Sequence, residues 1–301
     1  VRQPQRMCWY GQMANLSSDP VQLRSTAETL VAEAAAFVRR RRAEVFGAQG
    51  VESSSGLVQT KSSPTDPVTV VDTETESLIR DRLTQLRPGD AVLGEEGGGS
   101  GDLSGGEPGL VTWVVDPIDG TVNFMYDVPA YAVSVAAQIG GVSVAGAVAD
   151  VVGGRIYSAG AGLGARVADE QGTVGLRCTD VSELSLVLLG TGFGYSPRRR
   201  AAQAALLARL LPAVRDVRRI GSAALDLCMV AAGRLDAYYE HGIKPWDYAA
   251  GALIAVEAGA RVVLPGPEID SGEVCVAAAP GVADALIALL QREGGWAAIP
   301  Q

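Results

Sequence analysis

Apolar residues recur at helical spacing early in the chain. Leu23, Ala27, Leu30, Val31, Ala34, Phe37, Val38 and Val45 share one face, which predicts a helix over 23–46. The basic run at 39–42 suits the negative pole of that helix and reads most simply as a solvated face. Residues 47–56 have a Gly/Ser/Gln loop composition. Prolines 64 and 67 then keep the backbone extended, with Asp66 between them. Thr69 or Asp72 is positioned to cap a second helix over 73–86, with Glu74 and Glu76 in its first turn. Beyond it the pattern changes to short apolar runs at 91–94, 111–115, 130–138, 142–150, 155–159 and 165–168, with 174–178 as a further candidate. The four runs from 130 to 168 have no helix between them, which predicts a largely antiparallel sheet, and Gly140-Gly141 is a two-residue hairpin turn. From 184 onward strands (184–189, 216–220, 235–240, 261–264, 274–278) alternate with helices (197–211, 222–232, 246–258, 280–291), the pattern of a doubly wound α/β layer.

No repeat or long linker divides the 301 residues, so the expectation is one domain over 21–301, whose character shifts near 180 from a helix pair plus sheet (21–180) to α/β (181–301). Residues 1–20 lack periodicity and read as a disordered tail. Hydrophobic residues make up 48% with 37 Gly, which suits an α/β enzyme, but no run approaches a membrane span. A net charge of −9 argues against a nucleic-acid surface. The scattered Cys8, Cys178, Cys228 and Cys275 form no zinc pattern or disulfide framework, so a reducing cytoplasm is expected. His241 is the only histidine, which rules out chemistry needing two; followed by Gly, it reads as a loop residue.

The run 111–115 leads into Asp116-Pro-Ile-Asp-Gly-Thr121. Pro117 should stop the ladder at Asp116, and Gly120 permits a tight turn. Asp116, Asp119, Thr121 and the intervening carbonyl then form an all-oxygen set at the C-terminal end of a strand, the edge where α/β sheets bind ligands and a donor set that Mg²⁺ prefers. A polar turn after a core strand explains the same residues equally well. Asp66, Glu95 and Asp247 add further carboxylates at strand ends or helix starts, though Asp66 is also an ordinary turn residue. Carboxylates that converge repel one another unless divalent cations intervene, and a multi-Mg²⁺ site suits phosphate-ester hydrolysis. Other phosphatase designs fit poorly: the aspartates are spaced D-x-x-D-G-T rather than D-x-D-G-T, and there is no P-loop. Gly190, Gly192 and Gly194 break the dinucleotide spacing, and a two-carboxylate glycosidase stays open despite few aromatics.

Gly94-Glu-Glu96, Asp116-Pro-Ile-Asp-Gly-Thr121 and Trp246-Asp-x-Ala-Ala-Gly251 together resemble the inositol monophosphatase family of Mg²⁺-dependent, lithium-sensitive phosphatases. Lys61-Ser-Ser-Pro-Thr-Asp-Pro-Val-Thr69, Arg219-Ile-Gly-Ser-Ala-Ala224 and Asp236-Ala-Tyr-Tyr-Glu240 extend the match, in order, from about 23 to 290. The resemblance implies a layered α-β-α-β-α sandwich of the α/β class and a homodimer. It further implies a first Mg²⁺ on Glu95, Asp116 and the Ile118 carbonyl, and a second on Asp116, Asp119 and Asp247. Asp66 would stand near a third, weaker ion, with Thr121 as its partner in orienting the attacking water; Mn²⁺ is a possible substitute metal. Gly120 and Thr121 would bind phosphate, and Ala223 and Glu240 the inositol ring. The expected activity is hydrolysis of myo-inositol 1-phosphate, with fructose-1,6-bisphosphate or histidinol phosphate as alternative substrates and no nucleic-acid or membrane partner. A second class of reading is a regulatory protein that contacts the transcription or translation machinery. The basic run 198–200 lies near the expected substrate mouth but reads more simply as an exposed helix start.

Overall fold

The computed structural model describes residues 18–47, 58–60, 67–99, 110–266, 268 and 271–300. Helix α1 (Pro20–Phe46) begins earlier than its apolar pattern indicates, because Asp19 caps it by accepting the Val21 N–H and Pro20 needs no N–H partner in the first turn. Residues 1–17, most of the expected tail, lie outside the described residues. Strands β1 (Val58–Thr60) and β2 (Pro67–Thr69) form an antiparallel pair that hydrophobic patterning does not reveal. Helix α2 (Val70–Leu86) uses both expected caps at once: Thr69 receives the Val71 and Asp72 N–H groups, and Asp72 receives the Thr69 N–H.

Strands β3 (Ala91–Gly94), β4 (Val111–Asp119), β5 (Ala132–Ile139), β6 (Val142–Asp150), β7 (Arg155–Gly160), β8 (Ala165–Asp169) and β9 (Gly172–Gly175) pair in sequence order into one sheet. Only β3–β4 is parallel; the rest is antiparallel as expected. The β5–β6 turn is Gly140-Gly141 with φ of 58° and 78°, a conformation only glycine adopts readily.

The second sheet contains β10 (Leu188–Thr191), β11 (Asp216–Arg218), β12 (Ala237–His241), β13 (Arg261–Val263) and β14 (Val274–Ala278) in the order β11-β10-β12-β14-β13. It is mixed rather than doubly wound. β10 runs parallel to β11 and β12, but β14 is antiparallel to β12 and β13. Among the described residues no helix lies between β13 and β14, and β14 returns in the opposite direction.

Side-chain alternation assigns the layers. One face of the seven-stranded sheet (Trp113, Val115, Val133, Val135) packs on α1 and α2; the other (Val114, Ala132, Ala136, Val148) packs on α5 (Ala223–Ala231) and α6 (Pro245–Glu257). Leu227, Val230, Tyr248 and Ala255 on the far side of those helices meet Tyr238, Cys275 and Ala277 of the second sheet. The outer face of that sheet packs on α4 (Pro197–Leu210) and α7 (Pro280–Arg292). The result is a five-layer α-β-α-β-α sandwich. Because α5 and α6 are covered on both sides, they are apolar nearly all round.

Candidate active site

The strand ends of both sheets and the first turns of the middle helices open onto one cavity of about 750 Å³. Its floor is made by β4. The ladder to β5 does not stop at Asp116, as Pro117 led us to expect, but resumes at Asp119. Asp116 lies opposite Ser134 and Asp119 opposite Ala132, so β4 carries one extra residue as a bulge across Pro117-Ile118. Pro117 has no N–H to lose there. The bulge frees the Ile118 carbonyl from the ladder and points it to the Thr121 hydroxyl, 3.1 Å away. The Ile118 N–H turns back onto Asp116 Oδ1 at 3.0 Å. Gly120 follows at φ 95°, and a Cβ there would stand 3.0 Å from the carbonyls of Ala130 and Gly221. Only glycine fits, and the chain turns into the short helix α3 (Thr121–Tyr126).

Glu95 enters from the neighbouring strand. β3 pairs Gly94 with Val115, so Glu95 leaves the sheet beside Asp116, its N–H donating to the Val115 carbonyl at 3.2 Å. Asp119 is held by the start of α5: its Oδ2 accepts the Ser222 hydroxyl at 2.6 Å and the Ala224 N–H at 2.7 Å. Ser222 also caps α5 by accepting the Leu225 N–H. Asn123 of α3 fastens the preceding loop, donating to Ala130 and Ile220 carbonyls at 2.7 and 2.9 Å. Asp247 lies in the first turn of α6, where its Oδ2 accepts the Lys244 N–H at 2.6 Å. On β12, Glu240 accepts the Tyr238 hydroxyl at 2.7 Å and packs so closely on Gly192 that any side chain there would overlap its carboxylate.

Electrostatics distinguish this cavity from a polar turn. Burial raises Asp119 to about 6, with the nearby negative charge of Glu95 acting in the same direction, against the Ser222 hydroxyl and the Ala224 and Ala223 N–H groups that stabilise the carboxylate. Asp247 lies well above the usual carboxylate range, through burial and then the charges of Asp119 and Glu95. Glu240 is raised to about 7, again by burial. Carboxylates driven toward protonation by one another fit a divalent cation, whose charge would restore their ionised form. Among the described residues no three carboxylate, thiol or imidazole side chains meet around one point. A cation here would therefore complete its shell with the Ile118 carbonyl and water, which suits Mg²⁺.

Of the residues selected from the sequence, Glu95, Asp116, Ile118, Asp119, Gly120, Thr121, Ala223, Glu240 and Asp247 all line this cavity. Asp66 lies outside the described residues. Among the described residues the carboxylate that meets Thr121 is Asp72, whose Oδ1 is 3.2 Å from the Thr121 hydroxyl. Asp72 is fully buried and raised to about 7 by that burial, opposed by its bonds to Thr69. Its place as the capping residue of α2 was legible, but its second face, toward Thr121 49 positions away, was not. Ser222 was also missed, although its place directly before an apolar helix marks it as a cap. The run 198–200 requires a correction: Arg199 is only 3% exposed and lines the cavity, its Nε donating to the Ile299 carbonyl at 2.9 Å, while Arg198 and Arg200 face outward. The helical period carries one arginine of the three inward. His241 is likewise no loop residue; it ends β12, buried, with Nε2 2.9 Å from the Gly295 carbonyl.

The layered sandwich and its carboxylate-lined cavity define a phosphatase of the α-β-α-β-α type. The chain belongs to the inositol monophosphatase family, whose model matches residues 19–294. It is 66% identical over 289 residues to a Mycobacterium tuberculosis protein named inositol-1-monophosphatase SuhB, covering 96% of this chain and 100% of that one. A solved structure of Mycobacterium tuberculosis SuhB superposes with a TM-score of 0.78 at 63% identity, over 92% of this chain and 99% of that one. An Escherichia coli relative named Nus factor SuhB is 36% identical over 223 residues, 74% of this chain and 80% of that protein.

Proposed function

We propose that the chain is a Mg²⁺-dependent phosphomonoesterase that hydrolyses myo-inositol 1-phosphate. The observation that carries this reading is the convergence of Glu95, Asp116, Asp119 and Asp247 with a ladder-free Ile118 carbonyl on one cavity. Glu95, Asp116 and the Ile118 carbonyl would hold one ion; Asp116, Asp119 and Asp247, whose side chains line the cavity without meeting around one point, would have to draw together to hold another. Divalent cations at such a site neutralise phosphate charge and lower the pKa of an attacking water. The protein groups do the positioning. The Thr121 hydroxyl has one proton and two acceptors, Asp72 and Ile118, so it keeps a lone pair turned outward to accept from the nucleophilic water. The N–H groups of Gly120 and Thr121, at the first turn of α3, are available to phosphate oxygens. Glu240 accepts ring hydroxyls, its orientation fixed by Tyr238. The mycobacterial relative's name supports the inositol substrate.

Phosphate release should be measured over a panel of inositol 1-phosphate, fructose 1,6-bisphosphate and histidinol phosphate. We expect preference for inositol 1-phosphate, loss on chelation, recovery with Mg²⁺ or in part with Mn²⁺, and depression by Li⁺. A preference for another phosphate would move the substrate and leave the metal site. The name of the Escherichia coli relative motivates a second reading as a Nus factor. It gains support if a transcription-complex interaction survives Asp119→Asn while no tested ester is cleaved. We further propose that the protein acts as a homodimer in the cytoplasm; light scattering of the purified chain should give twice the chain mass.

A further inference from the structure

One buried carboxylate beside the cavity has no part in the chemistry above. Glu76 lies on α2, one turn beyond Asp72, and is 2% exposed. Both of its oxygens are spent on the loop that carries Glu95: Oε2 accepts the Glu96 N–H at 2.8 Å and Oε1 the Gly97 N–H at 2.8 Å. Arg80, one turn further along α2, balances the charge with Nε 2.8 Å from Oε1 and reaches past it to the carbonyl of Gly98 at 2.5 Å. Gly94 lies flat against the same carboxylate, so any Cβ there would overlap it. Glu95 is thus clamped from two directions, by the Val115 carbonyl of β4 on its own N–H and by Glu76 on the next two.

We propose that Glu76 is a positioning residue for Glu95 and sets the affinity of the site for divalent cation. The inference rests on the reading of Glu95 as a metal ligand. Charge-assisted bonds to consecutive N–H groups hold a turn more firmly than neutral ones. A ligand on a loop already ordered loses little conformational entropy when the ion arrives, whereas a free loop would lose it on binding. Partners that orient metal ligands typically affect affinity by about 10–100-fold when removed.

The test uses Glu76→Gln in the full chain, with Mn²⁺ binding read by calorimetry and the Mg²⁺ dependence of turnover read alongside. The amide turns one acceptor into a donor that faces a backbone N–H. We expect Mn²⁺ affinity to fall by about tenfold or more and half-saturating Mg²⁺ to rise equally. KM at saturating metal should stay unchanged. Gly97→Ala is the second variant and keeps the test open if Glu76→Gln does not fold. It lies on an exposed loop, and its Cβ would crowd Glu76 Oε1 at 2.6 Å, so a smaller shift in the same direction is expected. Glu28→Gln is the stability control, because it loosens another part-buried carboxylate bonded to Arg166 and Ser158, away from the cavity. The proposal is overturned if the folded Glu76 and Gly97 variants bind Mn²⁺ within twofold of wild type, or if Glu28→Gln shifts affinity as far. Glu95→Gln separates the two levels. If it abolishes binding while the Glu76 and Gly97 variants bind normally, only the positioning role falls. If it binds like wild type, the reading of Glu95 falls too.

Discussion

Asp119 is shared between two demands: one carboxylate oxygen is spent on Ser222 and Ala224, and the other is left to the cavity. Asp119→Asn keeps an oxygen for those two donors but loses the charge. We expect turnover to fall by at least about a hundredfold, the scale of removing a group that acts on the transition state, with an unchanged circular dichroism spectrum. Wild-type-like turnover would remove Asp119 from the site. Glu240 yields a pH prediction. Its folded pKa of about 7 lies above its ordinary 4.5, so the fold favours the protonated form. The stability this contributes is fully present below about 4.5 and is lost as pH rises through about 7. Metal-free Glu240→Gln, which stays neutral, should therefore melt above wild type at pH 8, with the gap closing toward pH 5; a gap independent of pH would refute this. The same variant should raise KM for inositol 1-phosphate more than it lowers kcat. Residue types were the most legible feature of the site, since carboxylates at strand ends stand out in the sequence. The contact of Asp72 with Thr121 was not legible: only the direction in which α2 packs turns Asp72 toward α3.

At the scale of elements, the bulge in β4 does what no single side chain can. It inserts one residue into a buried strand, releases the Ile118 carbonyl and still keeps Asp116 and Asp119 in the ladder. Gly120 closes the device at φ 95° between two carbonyls. Gly120→Ala should cost about 1–3 kcal/mol of stability through backbone strain. It should also reduce turnover more than it lowers the melting temperature would explain, because α3 and Thr121 would shift; normal kinetics in a merely destabilised variant would show that the turn is only structural. Helices α1, α2 and α4 to α7 were legible from apolar spacing and caps, and the antiparallel meander from alternation and Gly140-Gly141. The strand expected over 184–189 begins instead with a 3-10 turn at Leu184–Leu186, because a short apolar run does not by itself fix its backbone hydrogen-bond partners. Arg199 shows the converse: a charge run reads as surface until the helix is docked and one of its members proves to point inward.

Across the whole molecule, the cavity exists because the middle helices are shared by two sheets. β4 and α3 come from one half, β12 and the first turns of α5 and α6 from the other, so the carboxylates gather only when all five layers are assembled. Acids that burial drives toward protonation, Asp119, Glu240 and Asp247, oppose that assembly near neutral pH, and a bound cation would offset the opposition by stabilising the folded state alone. Millimolar Mg²⁺ should therefore raise the melting temperature of the metal-free protein at pH 8 by several degrees, a shift that chelation reverses and Asp119→Asn lacks. No shift in wild type would count against a resident cation. Among the described residues no helix is long and apolar enough to cross a membrane.

The sequence by itself determined most of the longer elements, the five-layer class through its family resemblance, and the residue types of the site. Periodicity, caps and carboxylate spacing are local and survive in one dimension. Tertiary structure alone decided the mixed order of the second sheet, the inward turn of Arg199, the burial of His241, the meeting of Asp72 with Thr121, and the grip of Glu76 on the Glu95 loop. Each of these depends on which faces of two separately formed elements are pressed together, and packing geometry of that kind leaves no periodic trace along the chain.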